Sequence, residues 1–480
     1  MIFIRTKWSS FYSKTKKNFP PSPRKLPIIG NFHQLGLNPN HSLRALSQKH
    51  GPIMLLHLGS VPTLVASSAE VAREIMKTHD LSFCSRPNLS IPNILFYGSN
   101  DIVFSPYGEY WRQLKSIVVV NFLNNTQVKS FRQVREKEIG MMMGMLEESS
   151  GSLVNMGSFL TSLTNNIICK VSVGRTYDVK LTDLLTRFVN MFTVFSVGSY
   201  IPWLSWIDWL SGLEGRAKKM AKEMDAFLES VIEENTNKKS EMKADHRDHE
   251  GKNLVEIMLN VQRDNTSGFT LQRDTLKCVI LDIFAAATET TSTNLEWTIN
   301  KRPSKKPESN EKAATGRRGR PMIPEEDLDK MQYLKAVIKE SLRLHPSLPL
   351  LLPREAIQDV KLMGYDISSG TQVIINAWAI GRDPAKWEDP EEFRPERFMN
   401  KFNDYKAHTF EWIPFGAGRR GCPGIQFGVV VMELALANIV YKFDLALPNG
   451  INCEDLDMTE KFGITVHRNS SLMVSATPRF

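Results

Sequence analysis

The sequence predicts a mainly α protein with a small β-rich lobe, and three observations carry that prediction. Apolar-periodic stretches recur between residues 127 and 235 and again from Leu271 to Thr298, at the spacing of helices that bury one face. Short strand-like runs, Ile53–Leu58 and Pro62–Ala66, stand near the N-terminal end, and Gln372–Ile375 reads as a later strand of the same lobe. With 480 residues and 42% apolar content, the chain is long enough to bury a substantial core.

Charge and cysteine usage bound the function. The formal net charge is +8, but Lys301 to Met322 holds eight basic residues against Glu308 and Glu311, which is +6, leaving +2 for the rest. One basic run without interleaved aromatics implies no nucleic-acid partner. Cys84, Cys169, Cys278, Cys422 and Cys453 lie far apart and form no C-x-x-C pair. That spacing argues against a disulfide framework and for a reducing, cytosol-facing environment.

In chain order, residues 1–30 read as a basic, proline-rich hinge, with Lys14, Lys16, Lys17, Arg24 and Lys25 around Pro20-Pro-Ser-Pro23 and Pro27. This composition suits a stiff, extended segment near an anionic membrane surface. A bilayer span needs about 20 apolar residues, and no such anchor is visible. The strand-like runs lead into a helical stretch, Ala69–Thr78, and then a loop-rich apolar segment from Leu81 to Tyr110. Trp111-Arg-Gln-Leu-Lys115 opens a helix, and its tryptophan and cation share one face. The helices after residue 127 are interrupted by an aromatic loop with Tyr200, Trp203, Trp206 and Trp209, whose rings suit core packing, membrane contact or substrate binding equally. Thr236–Lys252 reads as an exposed polar connection.

The helix Leu271–Thr298 contains Ala285-Ala-Ala-Thr-Glu-Thr-Thr-Ser292. Beyond it, Asn300 to Arg320 has no large aliphatic or aromatic residue, so the segment 300–322 is expected to be disordered or aberrant. Periodicity returns at Leu328–Pro346, where Glu340 and Arg343 stand three apart on one face. Next come the pocket-type stretch Pro349–Pro353, Arg354, and Phe393-Arg-Pro-Glu-Arg-Phe398.

Phe415-Gly-Ala-Gly-Arg-Arg-Gly-Cys-Pro-Gly424 is a basic, glycine-rich loop that presents one cysteine and runs straight into an apolar helical stretch. A thiolate is stabilised where backbone N–H groups and a helix N-terminus point at it. Cys422 is therefore read as an iron ligand, against the plainer reading of a structural cysteine behind a turn. Gly416, Gly418 and Gly421 let backbone approach a flat ligand. Pro423 sits where its missing donor costs nothing, and Arg420 suits a carboxylate on the same ligand.

The pattern F-x-x-G-x-R-x-C-x-G, carried by Phe415, Gly418, Arg420, Cys422 and Gly424, resembles the haem-binding loop of the cytochrome P-450 monooxygenases of the plant microsomal type. With the other motifs, the resemblance runs from about Asn18 to Phe480 and implies the cytochrome P-450 fold over residues 31–480. It implies haem b (iron protoporphyrin IX) held by Cys422, with Trp111 and Lys115 at one propionate and Arg354 at the other. Relatives usually have arginine where this chain has Lys115, so a bidentate fork is lost. The segment Leu81–Tyr110 is implied to be a lid over the distal pocket. Thr290 is implied to be the hydroxyl at the oxygen site and Glu289 the carboxyl that relays protons from solvent, because O–O cleavage consumes two of them. Ala287 replaces the family's usual glycine, which puts efficiency in question. Glu340, Arg343 and Arg397 are implied to form a buried network behind the haem, and Phe462-Gly-Ile-Thr465 a turn reaching the substrate site.

The resemblance further implies NADPH-derived electrons from a flavoprotein reductase docking on a basic face with Arg419, Arg420 and the Lys115 helix. It implies an apolar small-molecule substrate of plant specialised metabolism, peripheral membrane contact, and residence on the cytosolic face of the endoplasmic reticulum. Two other classes stay open on the residues alone. One is a haem-thiolate isomerase or dehydratase; the other is a non-catalytic or defective haem protein, suggested by Ala287 and residues 300–320.

Overall fold

The structure, a computed structural model, describes residues 17–177, 179–241, 252–264, 270–300, 321–399, 405–406, 409–448, 456–461 and 463–480. The expectations for residues 1–16, for 301–320, for Cys453 and for Phe462 lie outside the described residues. Helices dominate, with small sheets at the edge of the helical body.

The helix Arg273–Asn300 runs through the centre of the molecule. Its apolar residues lie on all sides rather than one, the pattern of a helix buried all round, and Leu276, Val279, Ile280, Phe284, Leu295 and Trp297 are buried accordingly. It packs on the helix Met156–Val173, whose Thr164 hydroxyl donates to the Thr288 carbonyl at 3.1 Å. That neighbour starts at an Asn155 cap, with the Asn155 side chain accepting from the Ser158 N–H, and stops at Gly174 in the left-handed region, as helix ends commonly do.

A second apolar helix, Ile425–Lys442, crosses the core behind the cysteine loop. It is long and apolar enough to cross a membrane by length and composition, but two-thirds of it is buried inside the protein. Its Asn438 exchanges two hydrogen bonds with the backbone of Ile323, so the chain just past residue 320 is tied to this helix.

The β lobe is a four-stranded sheet in the order Ile53–Leu58, Val61–Ala66, Gln372–Ile375, Arg354–Glu355. The first pair is an antiparallel hairpin, while Val61–Ala66 runs parallel to Gln372–Ile375 with Thr63 opposite Gln372. This register sets Arg354 opposite Val373 on an edge strand that faces the helical body. A separate hairpin pairs Glu460–Lys461 with His467–Arg468 and lies against the central helix.

One expectation changes here. The polar stretch from Thr236 is helical up to Glu241, because the helix that starts at Leu213 continues through it, with Lys238, Lys239 and Glu241 as its good helix formers. The central helix keeps α-helical geometry past Ala287.

Candidate active site

One cavity of about 280 Å³ lies between the central helix and the cysteine loop. Its floor is the loop Pro414–Gly424. Gly416 and Gly418 both have positive φ, and a side chain on Gly418 would strike the Met76 carbonyl and Asp80 at 2.3–2.4 Å, so only glycine fits there. The Cys422 N–H donates to the Phe415 carbonyl at 2.9 Å, which closes the loop. The Cys422 side chain opens onto the cavity although it lies deep in the protein. Burial pushes its thiol pKa up, while the Gly424 N–H and the Lys115 ammonium pull the other way. Gly424 caps the helix Ile425–Lys442, so the sulfur lies at a helix N-terminus, where negative charge is favoured.

One rim carries cations. Trp111 and Lys115 stand one turn apart on the helix Glu109–Asn121 and both line the cavity, with the ammonium 5.0 Å from the indole centroid. The Arg420 guanidinium stacks on the other side of the cluster, 4.1 Å from the same ring, and donates to the Cys84, Ile102 and Ser105 carbonyls. Arg354 binds the Asp80 carboxylate at 3.2 Å and the Ala417 carbonyl at 2.7 Å. Burial lowers the pKa of all three cations, Arg420 to about 10, and repulsion between them contributes for Lys115 and Arg420. A buried cluster of this kind, with Asp80 as its carboxylate partner, is complementary to further anionic groups.

The opposite wall is apolar, with Ile283, Ala286 and Ala287 from the central helix facing Val103 and Leu352. Thr290 faces the same space, and its hydroxyl donates to the Ala286 carbonyl at 2.6 Å. Glu289 does not line the cavity. Its carboxylate is turned towards the hairpin, with Oε1 2.8 Å from His467 Nε2 and Oε2 accepting from the Thr465 hydroxyl at 3.4 Å. Behind the cysteine loop, Glu340 accepts from Arg343 at 2.7 and 2.8 Å and from Arg397 at 3.2 Å, all with side chains at most 9% exposed. The remaining Arg343 donors reach the Gly381, Pro390 and Glu392 carbonyls.

The cytochrome P450 family model matches residues 20–473. The chain belongs to the cytochrome P450 family. It is 61% identical to a cytochrome P450 of Tanacetum parthenium over 484 residues, covering 100% of this chain and 96% of that relative. It is 52% identical to a 3-beta-hydroxylase of the same plant, again covering 100% and 96%. A solved zebrafish cytochrome P450, determined with abiraterone, superposes with a TM-score of 0.76 at 25% identity, covering 92% of this chain and 100% of that one. The protein is thus a haem-thiolate monooxygenase of plant specialised metabolism that takes a small-molecule substrate, a haem iron cofactor and a redox-partner reductase. No observation favours the isomerase, dehydratase or defective-protein readings.

Within this P450, three sequence expectations need correction. Arg420 points inward onto Trp111 and three carbonyls, so it is no part of an outer basic face; Arg419 is the outward residue, paired with Asp80 at 2.8 Å. Among the described residues of the turn 462–465, none lines the cavity; Thr465 meets Glu289 instead. Tyr200, Trp203, Trp206 and Trp209 of the aromatic loop, for which substrate binding is one of three readings of the sequence, do not line the cavity either, while Phe192 ahead of the loop packs 5.5 Å from Phe104. Pattern reading also missed Asp80, the anion between Arg354 and Arg419, and the buried pair Asp101 and Asp282. Asp80 has no signal in the local sequence. Asp282 has one, since it is the lone acid inside the run Val279-Ile-Leu-Asp-Ile-Phe284, and buried acids are rare without partners.

Proposed function

We propose that the cavity holds haem b with the Cys422 thiolate on the iron, and that this P450 inserts one atom of dioxygen into an apolar small molecule. The observation that carries this reading is the convergence on one cavity of a thiol at a helix N-terminus, a rim of buried cations and the Thr290 hydroxyl beside an apolar wall. The residues fit the group: Phe415, Gly418 and Gly424 shape the loop around the sulfur, and a side chain on Gly424 would meet nothing within 4 Å. Bound there, the iron supplies dioxygen binding and reduction, chemistry that no side chain in the cavity provides.

The chain's own residues do the rest. The Gly424 N–H and Lys115 favour the thiolate over the thiol. Trp111, Lys115, Arg354 and Arg420 would hold the propionates, the Trp111 indole N–H by exchanging its bond to the Ile102 carbonyl, now 2.9 Å long. Thr290, whose proton is engaged by the Ala286 carbonyl, presents lone pairs to the cavity and orients protons at the oxygen site. Glu289 moves protons in from the solvent side. Ile283, Ala286, Val103 and Leu352 exclude water and bind an apolar substrate. Glu340, Arg343 and Arg397 keep the layer behind the cysteine loop in one geometry.

Electrons come from NADPH through a flavoprotein reductase that docks on the cysteine side, where Arg112 and Arg419 are outward cations for an acidic partner. The protein sits on the cytosolic face of the endoplasmic reticulum. Exposed Trp203, Trp206 and Trp209 support membrane contact, together with Leu26 and Ile28 of the proline-rich hinge and Leu37 beyond it. Phe32 joins the two groups by edge contacts to Phe195 and Tyr200 at 5.1 and 5.2 Å.

The test is the visible spectrum of the recombinant protein, reduced with dithionite and exposed to carbon monoxide. The wild type should give the strongly red-shifted Soret band of a thiolate–carbonyl complex, and Cys422→Ser should lack it. A haem-loaded wild type without the red shift would remove Cys422 as the ligand.

A further inference from the structure

We propose that His467 positions the distal acid of this P450: it holds the Glu289 carboxylate on the solvent side of the central helix, in register for proton delivery past Thr290. The inference rests on the reading of Glu289 as the proton-relaying acid. Three observations carry it. First, Glu289 is on the central helix next to Thr290 but is not a wall of the cavity, so something must fix where its side chain points. Second, His467 supplies the close contact, Nε2 to Oε1 at 2.8 Å, and the Thr465 hydroxyl reaches Oε2 from the same hairpin. Third, the imidazole is itself held on its far side, with Nδ1 3.0 Å from the Thr293 hydroxyl, one turn beyond Glu289.

The Thr293 hydroxyl can donate to a neutral Nδ1 or accept from a protonated one, so the ring keeps both partners in either charge state. His467 thus clips two successive turns of the central helix to the hairpin. With side chains 34% and 23% exposed, His467 and Glu289 lie between bulk water and the Thr290 wall. The other charged groups around the ring are Glu296 from the central helix, Glu460 and Lys461 from the paired strand, and the adjacent Arg468. None of these four occupies the Glu289 carboxylate in place of His467.

The experiment uses the full haem-loaded chain with a flavoprotein reductase and NADPH, and measures how consumed dioxygen divides between hydrogen peroxide and water. Peroxide takes two electrons and two protons per dioxygen, while two waters take four of each, so a poorer proton supply shifts the division towards peroxide. No added substrate is needed. Glu289→Gln should raise the peroxide share several-fold. His467→Phe should raise it similarly, and the double variant no further than Glu289→Gln alone. His467→Gln, which keeps an N–H donor for Glu289, should restore most of the wild-type division.

A second readout is independent of turnover. In a double-mutant cycle on the thermal unfolding midpoint, the loss caused by His467→Phe should shrink when Glu289 is already Gln. If Glu289→Gln leaves the division unchanged, the acid reading falls and takes this proposal with it. If Glu289→Gln raises peroxide but His467→Phe does not, or if Gln fails to rescue, or if the two unfolding losses simply add, the acid stands and His467 loses its role.

Discussion

At the scale of the residue, the clearest departure from ordinary side-chain chemistry is the pair Asp101 and Asp282. Asp282 accepts from the Ile102 N–H at 2.7 Å, and Asp101 accepts from Val103 and Phe104, so the two carboxyls fasten the wall of the cavity to the central helix. Burial raises both pKa values, Asp101 to about 6 and Asp282 further, with repulsion from Asp101 adding to the second. A carboxyl whose folded pKa lies above its unfolded value, near 3.9, binds more proton when folded. The stability it contributes is therefore full at low pH and is lost as pH rises through the folded value. Asp282→Asn keeps an acceptor for Ile102 and a donor for Asp101 without the titrating proton. Its unfolding midpoint should gain on the wild type as pH goes from 5 to 8; parallel curves would show that the pair does not share a proton. Neither residue belongs to a motif, and their meeting joins positions far apart in the chain.

At the scale of the element, the cysteine loop depends on what stands behind it. Glu340 and Arg343 share a face because three residues make nearly one turn of the helix Gln332–Leu344, and that much is legible in the sequence. The third member, Arg397, arrives from a separate turn, Pro395–Phe398, and the backbone carbonyls that take up the other Arg343 donors come from Gly381, Pro390 and Glu392. Removing Glu340 leaves two buried guanidiniums without their anion. Glu340→Ala should lose about 3–5 kcal/mol, read by denaturant unfolding, together with most of the haem-loaded yield. A loss under about 1 kcal/mol would equal that of an exposed pair and would remove the network from the support of the loop. The central helix tells a related story. It stays α-helical through Ala287, where every residue carries the backbone donor and acceptor that the helix requires.

At the scale of the whole molecule, one edge is apolar. The tryptophans at 203, 206 and 209 are 56–71% exposed, Leu37 is 95% exposed, and the hinge adds Leu26 and Ile28 to the same region. Amphipathic rings of this kind suit the boundary between headgroups and acyl chains. Replacing all three tryptophans by serine should reduce co-sedimentation with phosphatidylcholine–phosphatidylserine vesicles several-fold without changing the carbon monoxide spectrum. Unchanged sedimentation would mean that the edge serves another purpose. Since these side chains lie outside the core, their removal costs little in packing, and the spectrum serves as the control for folding.

The fold class, the cysteine and its glycine scaffold, the Trp111 and Lys115 face, and the Glu340 and Arg343 spacing were readable in the sequence, because each depends on neighbours within a turn or a loop. Helix periodicity and the φ demands of glycine are local properties, and so the chain carries them in its order of residues. What only the tertiary structure decided is which distant groups share charge. Arg420 turns inward onto Trp111, Asp80 sits between Arg354 and Arg419, Asp101 meets Asp282, and Glu289 is held by His467 rather than facing the cavity. Each of these is an electrostatic choice among partners far apart in the chain, made by burial and distance after the helices have packed, and no spacing in the chain encodes it.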